Sequence, residues 1–213
     1  NIYIPQAKFP EGTKFYLGGA PAQGIDLLDA ISNSLPLIIS IMMLLTFLIL
    51  LRTFRSVVLA IKAIILALIS IAVSFAVLVV VFKFGIGTYQ LEQLEAWVLV
   101  LLFAVLFGLS MDYEIFIVSR MREAWDHGAN NEDSIREGMR SSGTVVTAAA
   151  LIFITALTGL ITGHFAGLQQ LGIGLAAGVL IDATLIRGLL LPSAMVLLGQ
   201  WNWKWQGKTP SNT

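Results

Sequence analysis

Residue types that carry much of enzyme chemistry are scarce in this sequence. Its 213 residues include no cysteine, which excludes disulfides, thiol nucleophiles and thiolate metal sites. The two histidines, His127 and His164, are too few and too far apart for a histidine metal cluster, and we predict no metal site. Charged residues make up only 12%, where a typical soluble domain has about one quarter, and thirteen basic residues balance thirteen acidic ones. We therefore expect no nucleic-acid partner, because the chain has no strongly basic surface.

What the sequence has in excess is apolar residues in long runs. Hydrophobic residues make up 57% of the chain, and its mean hydropathy is +0.84. Five apolar stretches stand out, at residues 35–51, 56–82, 96–119, 143–161 and 168–191. Crossing the hydrocarbon core takes roughly 20 helical residues at about 1.5 Å each, so all but the slightly short first stretch are long enough. The pattern predicts an all-α polytopic membrane protein with five transmembrane helices, since a β-barrel would show shorter, alternating segments.

The distribution of lysine and arginine between the connections predicts the orientation of the helices. Eight basic residues lie at one end of the spans and three at the other. The eight are Arg52, Arg55, Arg120, Arg122, Arg136, Arg140, Lys204 and Lys208, and the three are Lys8, Lys14 and Lys83. Because basic residues concentrate on the cytoplasmic side, we expect residues 1–34 outside the cell and the tail, residues 200–213, in the cytoplasm.

The polar segments between and around these stretches define the predicted domains. Residues 1–34 combine a Pro- and Gly-containing stretch, a strand-like run at 14–17 and an amphipathic helix at 23–34, and we expect them to end an extracytoplasmic domain. Residues 35–199 are the predicted transmembrane domain, with a charged cytoplasmic loop at 120–142. In that loop Asn131 is a candidate N-cap for a short surface helix through Arg140. Since the first residues cannot bury a core unaided, we expect the chain to be part of a longer protein.

Ionisable residues within the apolar stretches point most directly to function, because a charge at the bilayer centre costs on the order of 2.5–3.5 kcal/mol. Asp112 lies about 22 Å along the helix from the outer end of the third stretch and about 12 Å from its inner end. An apolar environment disfavours a charged carboxylate, so a carboxyl group at this depth can exchange a proton near neutral pH. Neighbouring Tyr113 offers a hydroxyl donor, and Gly108, one turn back, lets another helix approach. We predict that Asp112 carries protons and that Tyr113 is its hydrogen-bonding partner.

Glu114 lies on the opposite side of the same helix from Asp112, at a depth similar to that of Lys62 in the second stretch. Two interpretations stay open for these residues. Glu114 and Lys62 can form a structural ion pair between the second and third spans, or they can support proton transfer. A charge-reversal double mutant that failed to restore what each single reversal lost would count against the pairing.

Polar residues of the fourth and fifth spans are weaker candidates. Thr144 and Thr147 can support Asp112 from the adjacent helix, although hydroxyl groups in a helix often return hydrogen bonds to their own backbone. Asp182 lies at a depth similar to that of Asp112, but Arg187 follows it and Pro192 lies beyond. We interpret Asp182 and Arg187 as a structural charge arrangement near a helix kink. A stripe of glycines in this span favours close helix packing, at Gly172, Gly174 and Gly178.

Three motifs in order then resemble a known family. They are the run Gly108-Leu-Ser-Met-Asp-Tyr-Glu-Ile-Phe-Ile-Val-Ser-Arg-Met-Arg-Glu123, the run Gly143-Thr-Val-Val-Thr-Ala-Ala-Ala150, and Leu180-Ile-Asp-Ala-Thr-Leu-Ile-Arg187 with Leu191-Pro192. The closing Leu198-Gly-Gln-Trp-Asn-Trp203 is similar too. Together they resemble the carboxyl-terminal half of the MMPL branch of the resistance-nodulation-division transporters, over about residues 17–203.

This resemblance implies helices eight to twelve of a twelve-helix transporter of the bacterial inner membrane. In that family, facing Asp-Tyr pairs of helices four and ten carry protons, a role that maps onto Asp112 and Tyr113. The proton gradient then drives export of lipids or other hydrophobic compounds without a cofactor. The expected partners are membrane lipids, a lipid-like substrate and the amino-terminal half of the transporter. The resemblance is also compatible with an oligomer of the transporter.

Two other functions remain to be compared with the exporter. A non-transporting membrane sensor or assembly factor could share this fold with a purely structural Asp-Tyr pair. An intramembrane hydrolase would need a Ser/His/Asp or metal-ligand constellation, which the sequence does not offer within its spans.

Overall fold

The fold is helical and is seen in a computed structural model that describes residues 19–88, 90 and 94–203. The helices are α1 Ala20–Phe54, α2 Val57–Phe84, α3 Ala96–Asp126, α4 Asn131–Ile161, α5 Ala166–Ile181 and α6 Leu191–Leu198. A π-helical segment, Asp182–Leu190, joins α5 to α6, and a 3-10 turn, Gly199–Asn202, follows α6. Five of the resulting segments are long and apolar enough to cross a membrane: Gln23–Phe54, Val57–Phe84, Ala96–Asp126, Asn131–Ile161 and Ala166–Asn202. The predicted fold class is confirmed, whereas the strand-like run at 14–17 lies outside the described residues.

Local chemistry explains several helix ends. Arg55 takes a left-handed backbone conformation (φ 50°) at the end of α1, and the next residue, Ser56, caps α2 by accepting the Leu59 N–H at 3.3 Å. Gly85 ends α2 with φ 65°, a conformation that glycine adopts without steric cost. The side chain of Asn130 accepts the Asp133 N–H at 2.8 Å and caps α4.

The prediction of a cytoplasmic loop at 120–142 is wrong about the structure of these residues, because most of them belong to two long helices. Helix α3 continues through Asp126, α4 begins at Asn131, and only residues 127–130 join them. The N-cap is Asn130 rather than Asn131, and the helix does not stop at Arg140 but runs on to Ile161. The two helices stay paired beyond the apolar stretches because they still bury apolar side chains there, among them Met121 and Ile135.

The first span also differs from its predicted form. The amphipathic helix at 23–34 and the apolar stretch at 35–51 belong to one continuous α1, although Pro36 lies inside it. The hydroxyl of Ser40 donates to the Pro36 carbonyl at 2.7 Å, one turn along. Of the most apolar part of α1 only 6% is buried, against 44% for α3, so α1 lies at the edge of the bundle.

The core lies between α2, α3 and the fifth span, where the predicted glycine stripe allows close packing. A Cβ atom on Gly174 would lie 2.1 Å from a Leu102 methyl carbon, and one on Gly178 would lie 2.5 Å from a Leu106 methyl carbon. Contacts this short cannot form, so glycine is what lets α5 approach α3. This close packing surrounds the polar groups described next.

Candidate functional site

The predicted pairing of Lys62 with Glu114 is present between α2 and α3. The Lys62 ammonium nitrogen lies 3.6 Å from Glu114 Oε1, and both side chains are buried. That distance is too long for a hydrogen bond, and this oxygen has no hydrogen-bond donor within the described residues. The ammonium group instead donates to the sulfur of Met195 in α6 at 3.0 Å. A role of the pair in proton transfer stays a prediction.

Asp182 and Arg187 form a second buried ion pair within the π-helical segment. The π-helical geometry explains it, because residues five apart lie one turn above each other there, whereas in an α-helix they are rotated by about 140°. Ser110 of α3 joins the pair twice. Its hydroxyl donates to Asp182 Oδ1 at 3.0 Å, and its carbonyl accepts from Arg187 at 3.3 Å. The charge arrangement predicted for this span is therefore present, and it is bonded to α3.

Tyr113 lies between this pair and Asp112. Its side chain is half-buried, and the Arg187 guanidinium carbon lies 4.5 Å from the centre of its ring, a cation–π contact. Tyr113, Asp182 and Ser70 also line a small cavity of about 10 Å³, which is about the space of one water molecule. The Tyr113 hydroxyl has no hydrogen-bond partner among the described residues, so its predicted bond to Asp112 is not formed within this part of the chain.

Asp112 itself faces outward from the bundle. Its side chain is exposed and has no hydrogen bond or ion pair with any described residue. Gly108, one turn before it, has no atom within 4 Å of where a Cβ would stand. This surface of α3 is therefore both polar and open to close approach.

Thr144 and Thr147 of α4 are exposed as well, and neither hydroxyl has a partner among the described residues. Helices α3 and α4 pack closely where Met121 meets Gly138. Asp112 lies nine residues before Met121, and Thr147 lies nine residues after Gly138. Because the helices are antiparallel, Asp112 and Thr147 share one depth in the membrane.

Two further threonines of α4, Thr155 and Thr158, bond to the backbone of their own helix, as hydroxyl groups in helices often do. The hydroxyl groups of Thr155 and Thr158 return hydrogen bonds of 2.7 Å to the carbonyls of Leu151 and Thr155. These hydroxyls are satisfied by their own helix, unlike those of Thr144 and Thr147.

Ser110 and Met195 are site residues that the sequence did not predict. The signal for Ser110 is weak, since a lone serine in a span usually bonds to its own helix. Met195 gives no signal, because its role depends on an ammonium group 133 residues away. Across the described residues, no group of three or more carboxylate or histidine side chains could hold a metal ion.

The geometry describes a polytopic helical membrane protein with two buried ion pairs in its core. Residues 3–212 match the MMPL family, and the chain belongs to it. Members of this family are membrane transporters rather than enzymes. With five segments of membrane-spanning length, the chain is part of a multi-pass protein of the cell membrane.

Named relatives agree with this assignment. The chain is 36% identical over 191 residues to the mycolic acid-containing lipids exporter MmpL11 of Mycolicibacterium smegmatis, covering 88% of this chain and 20% of that protein. It is 35% identical over 198 residues to the trehalose monomycolate exporter MmpL3 of Mycobacterium tuberculosis, covering 91% and 21%. It is 35% identical over 191 residues to the heme uptake protein MmpL11 of Mycobacterium tuberculosis, covering 88% and 20%. The chain spans about a fifth of the length of these curated relatives.

Proposed function

We propose that this chain supplies five membrane helices of an exporter of lipids or other hydrophobic compounds, driven by the proton gradient through Asp112 and Tyr113. The observation that carries the proposal is the state of the acids within the spans. Glu114 and Asp182 are buried beside cations, whereas Asp112 is exposed and has no partner among the described residues. Asp112 is thus the acid whose charge this part of the chain does not balance.

An unbalanced carboxylate cannot stay in contact with lipid at low cost, since insertion scales assign it on the order of 2.5–3.5 kcal/mol at the bilayer centre. Two things lower that cost, namely protonation and a cover of protein or water. The open surface beside Gly108 suits a second helix, and the family resemblance assigns another Asp-Tyr helix to that place. We propose that the rest of the transporter covers Asp112 and admits protons to it.

The contact between Arg187 and Tyr113 suggests how a proton on Asp112 affects helix packing. Tyr113 follows Asp112 in α3, and the Arg187 guanidinium group lies over its ring while also bonding to Asp182. A change of charge on Asp112 would therefore act on the π-helical segment through one intervening side chain. Two packings of α3 against this segment, one preferred for each protonation state of Asp112, would couple proton binding to transport.

The names of two relatives support a proposal for the substrate class. MmpL3 is named as an exporter of trehalose monomycolate, and MmpL11 of Mycolicibacterium smegmatis as an exporter of mycolic acid-containing lipids. We propose a lipid-like substrate, with membrane lipids and the remaining part of the transporter as partners and no cofactor besides the proton gradient. In the proposed orientation, α1 begins outside the cell and α6 ends at the cytoplasmic face.

The test uses the complete protein in lipid vesicles with an imposed pH gradient. A pH-sensitive dye reports proton flux, and a fluorescent acyl-trehalose reports lipid movement across the bilayer. Asp112→Asn removes the exchangeable proton while keeping the shape of the side chain. We expect it to lower both fluxes on the order of 10²-fold, the contribution of one positioned proton-transfer group.

The matched control is Asp29→Asn, which neutralises an exposed acid in the part of α1 before the apolar stretch. It should transport like the unmodified protein. If Asp112→Asn also transports normally, the proton-carrier assignment is wrong. If the unmodified protein moves neither protons nor lipid, the exporter proposal fails and the sensor interpretation takes its place.

A further inference from the structure

The carboxyl-terminal turn after α6 has a structure that proton transport by Asp112 does not require. Gly199 takes φ 52°, and it begins the 3-10 turn Gly199–Asn202. Asn202 is completely buried, and its side-chain amide donates to the carbonyls of Met195 at 2.7 Å and Gly199 at 2.8 Å. The turn thereby adds a side-chain hydrogen bond to the Met195 carbonyl, which also accepts the backbone N–H of Gly199, and another to the Gly199 carbonyl.

Trp203 attaches this turn to α3 and α4 near residues 127–130, which join these two helices. Its ring stacks on that of Trp125, with centroids 5.2 Å apart, and lies under the guanidinium group of Arg122 at 5.9 Å. Its indole N–H donates to the side-chain oxygen of Asn131 at 2.8 Å. One buried side chain therefore contacts both helices of this hairpin.

Met195 is where these contacts meet the buried ion pair. Its carbonyl accepts from Asn202 and, at 3.3 Å, from Asn131. Its sulfur accepts from the Lys62 ammonium group at 3.0 Å, and the residue is completely buried. The backbone carbonyl of Met195 is therefore bonded to the turn and to α4, and its sulfur is bonded to α2.

The Lys62 ammonium group depends on this arrangement. Within the described residues its polar neighbours are the Met195 sulfur and Glu114, which lies beyond hydrogen-bonding distance at 3.6 Å. A thioether is a weak acceptor, and the lysine side chain has several rotatable bonds. Since that side chain is flexible, a shift of Met195 would remove the one hydrogen bond that the ammonium group makes to a described residue.

We propose that Asn131, Asn202 and Trp203 are positioning residues for the Lys62–Glu114 pair and act through Met195. The carboxyl-terminal turn holds Met195, and Met195 holds the lysine beside the glutamate. This assignment does not require the transport activity proposed above, because it concerns the burial of Lys62 in the resting protein.

The test measures how readily Lys62 reacts with N-hydroxysuccinimide acetate, a small acetylating reagent, in the complete protein in detergent at constant pH. Mass spectrometry gives the acetylated fraction at Lys62, normalised to that at Lys83, which is exposed at the other end of α2. Asn202→Ala and Trp203→Phe each remove hydrogen bonds of the turn. We expect each to raise Lys62 acetylation about fivefold, as for the loss of one buried hydrogen bond, and to leave Lys83 unchanged.

The matched control is Gln200→Ala, two residues from Asn202. The side-chain amide of Gln200 is exposed and has no partner among the described residues. It should react like the unmodified protein. Trp203→Phe retains an aromatic ring to stack on Trp125, so it keeps the test valid if Asn202→Ala does not fold. Unchanged Lys62 acetylation in a Trp203→Phe protein of normal melting temperature would overturn the proposal.

A double-mutant comparison separates positioning from general support of the fold. In a Lys62→Met background the ammonium group is absent, so Asn202→Ala should no longer change the reactivity of Glu114 toward a carbodiimide. With Lys62 present, the same substitution should raise that reactivity. An equal increase in both backgrounds would mean that the turn supports the fold without positioning Lys62, and would contradict the proposal.

Discussion

Helix α3 carries two acids, Asp112 and Glu114, that are only two residues apart but lie on opposite faces. The surroundings of these two acids differ. Glu114 faces the core, where Lys62 lies nearby and the Asp182–Arg187 pair lies in the adjoining segment. Asp112 faces outward, beside the open surface at Gly108, with no partner among the described residues. The core acids lie beside cations of the bundle, whereas no described residue balances the charge of Asp112.

The two faces of α3 are therefore expected to differ in whether substitutions affect stability or transport. Removing one partner of a buried ion pair leaves a charge without compensation and is strongly destabilising. Removing the exposed carboxylate of Asp112, which has no hydrogen bond or ion pair with the described residues, takes away no such interaction. Substitutions on the core face should therefore lower stability, and substitutions on the Asp112 face should act on transport.

The largest effect on stability is expected from Arg187→Met. The substitution leaves Asp182 buried without its cation, a change that costs about 3–5 kcal/mol. The melting temperature of the complete protein in detergent should fall clearly. Arg140→Met serves as the control, because Arg140 is exposed and has no described partner. Equal melting temperatures for the two variants would show that the core pair does not stabilise the bundle.

The Lys62–Glu114 pair provides a somewhat smaller effect and a reversal test. Glu114→Lys should lower the free energy of unfolding by about 3 kcal/mol, at the lower end for a buried pair because no hydrogen bond joins these two groups. Adding Lys62→Glu should recover part of that loss, as measured by denaturant unfolding in detergent. The absence of any recovery would argue against a pairing interaction.

Glycine substitutions test the packing on the two faces. A Cβ on Gly138 would lie 2.9 Å from the backbone nitrogen of Met121, so Gly138→Ala should cost about 1–3 kcal/mol through displacement of α4 from α3. Gly108→Ala meets no atom within 4 Å and should leave the melting temperature of the bundle unchanged. If Gly108→Ala nevertheless reduces transport in vesicles, a helix outside the described bundle packs on that face.

The smallest effect is expected from Thr147→Val, since the hydroxyl group of Thr147 is exposed and has no partner among the described residues. Stability should change by no more than about 0.5 kcal/mol. Proton flux in vesicles decides its role beside Asp112. Flux equal to that of the unmodified protein would remove Thr147 from the group of supporting residues.

Much of the fold could be predicted because the bilayer imposes a simple rule on length and hydropathy. The five spans followed from counting residues along helices of known rise, and the similar depths of Lys62 and Glu114 made their pairing one of two open interpretations. The hairpin of α3 and α4 could not be predicted in the same way. Residues around Arg140 are polar enough for a loop, and their helical state depends on the packing of Gly138 against Met121 in another helix.

Some features of the candidate site are likewise set by the sequence, and others by the tertiary structure. The depth of Asp112, Glu114 and Asp182 is a property of the sequence alone, because distance along a helix depends only on residue number. The balance of their charges is a property of the tertiary structure. It depends on the π-helical turn that places Arg187 over Asp182 and on the rotation of α3 that turns Glu114 inward and Asp112 outward.

The sequence by itself determined that this chain crosses a membrane, that it places three acids at depth within its spans and that it resembles a family of transporters, since hydropathy, spacing and motif order are all written along the chain. Only the tertiary structure decided which acids lie beside a cation and which one has no hydrogen bond or ion pair with the described residues. The physical reason is that charge compensation acts over a few ångströms between side chains far apart in sequence, and helix packing alone brings those side chains together.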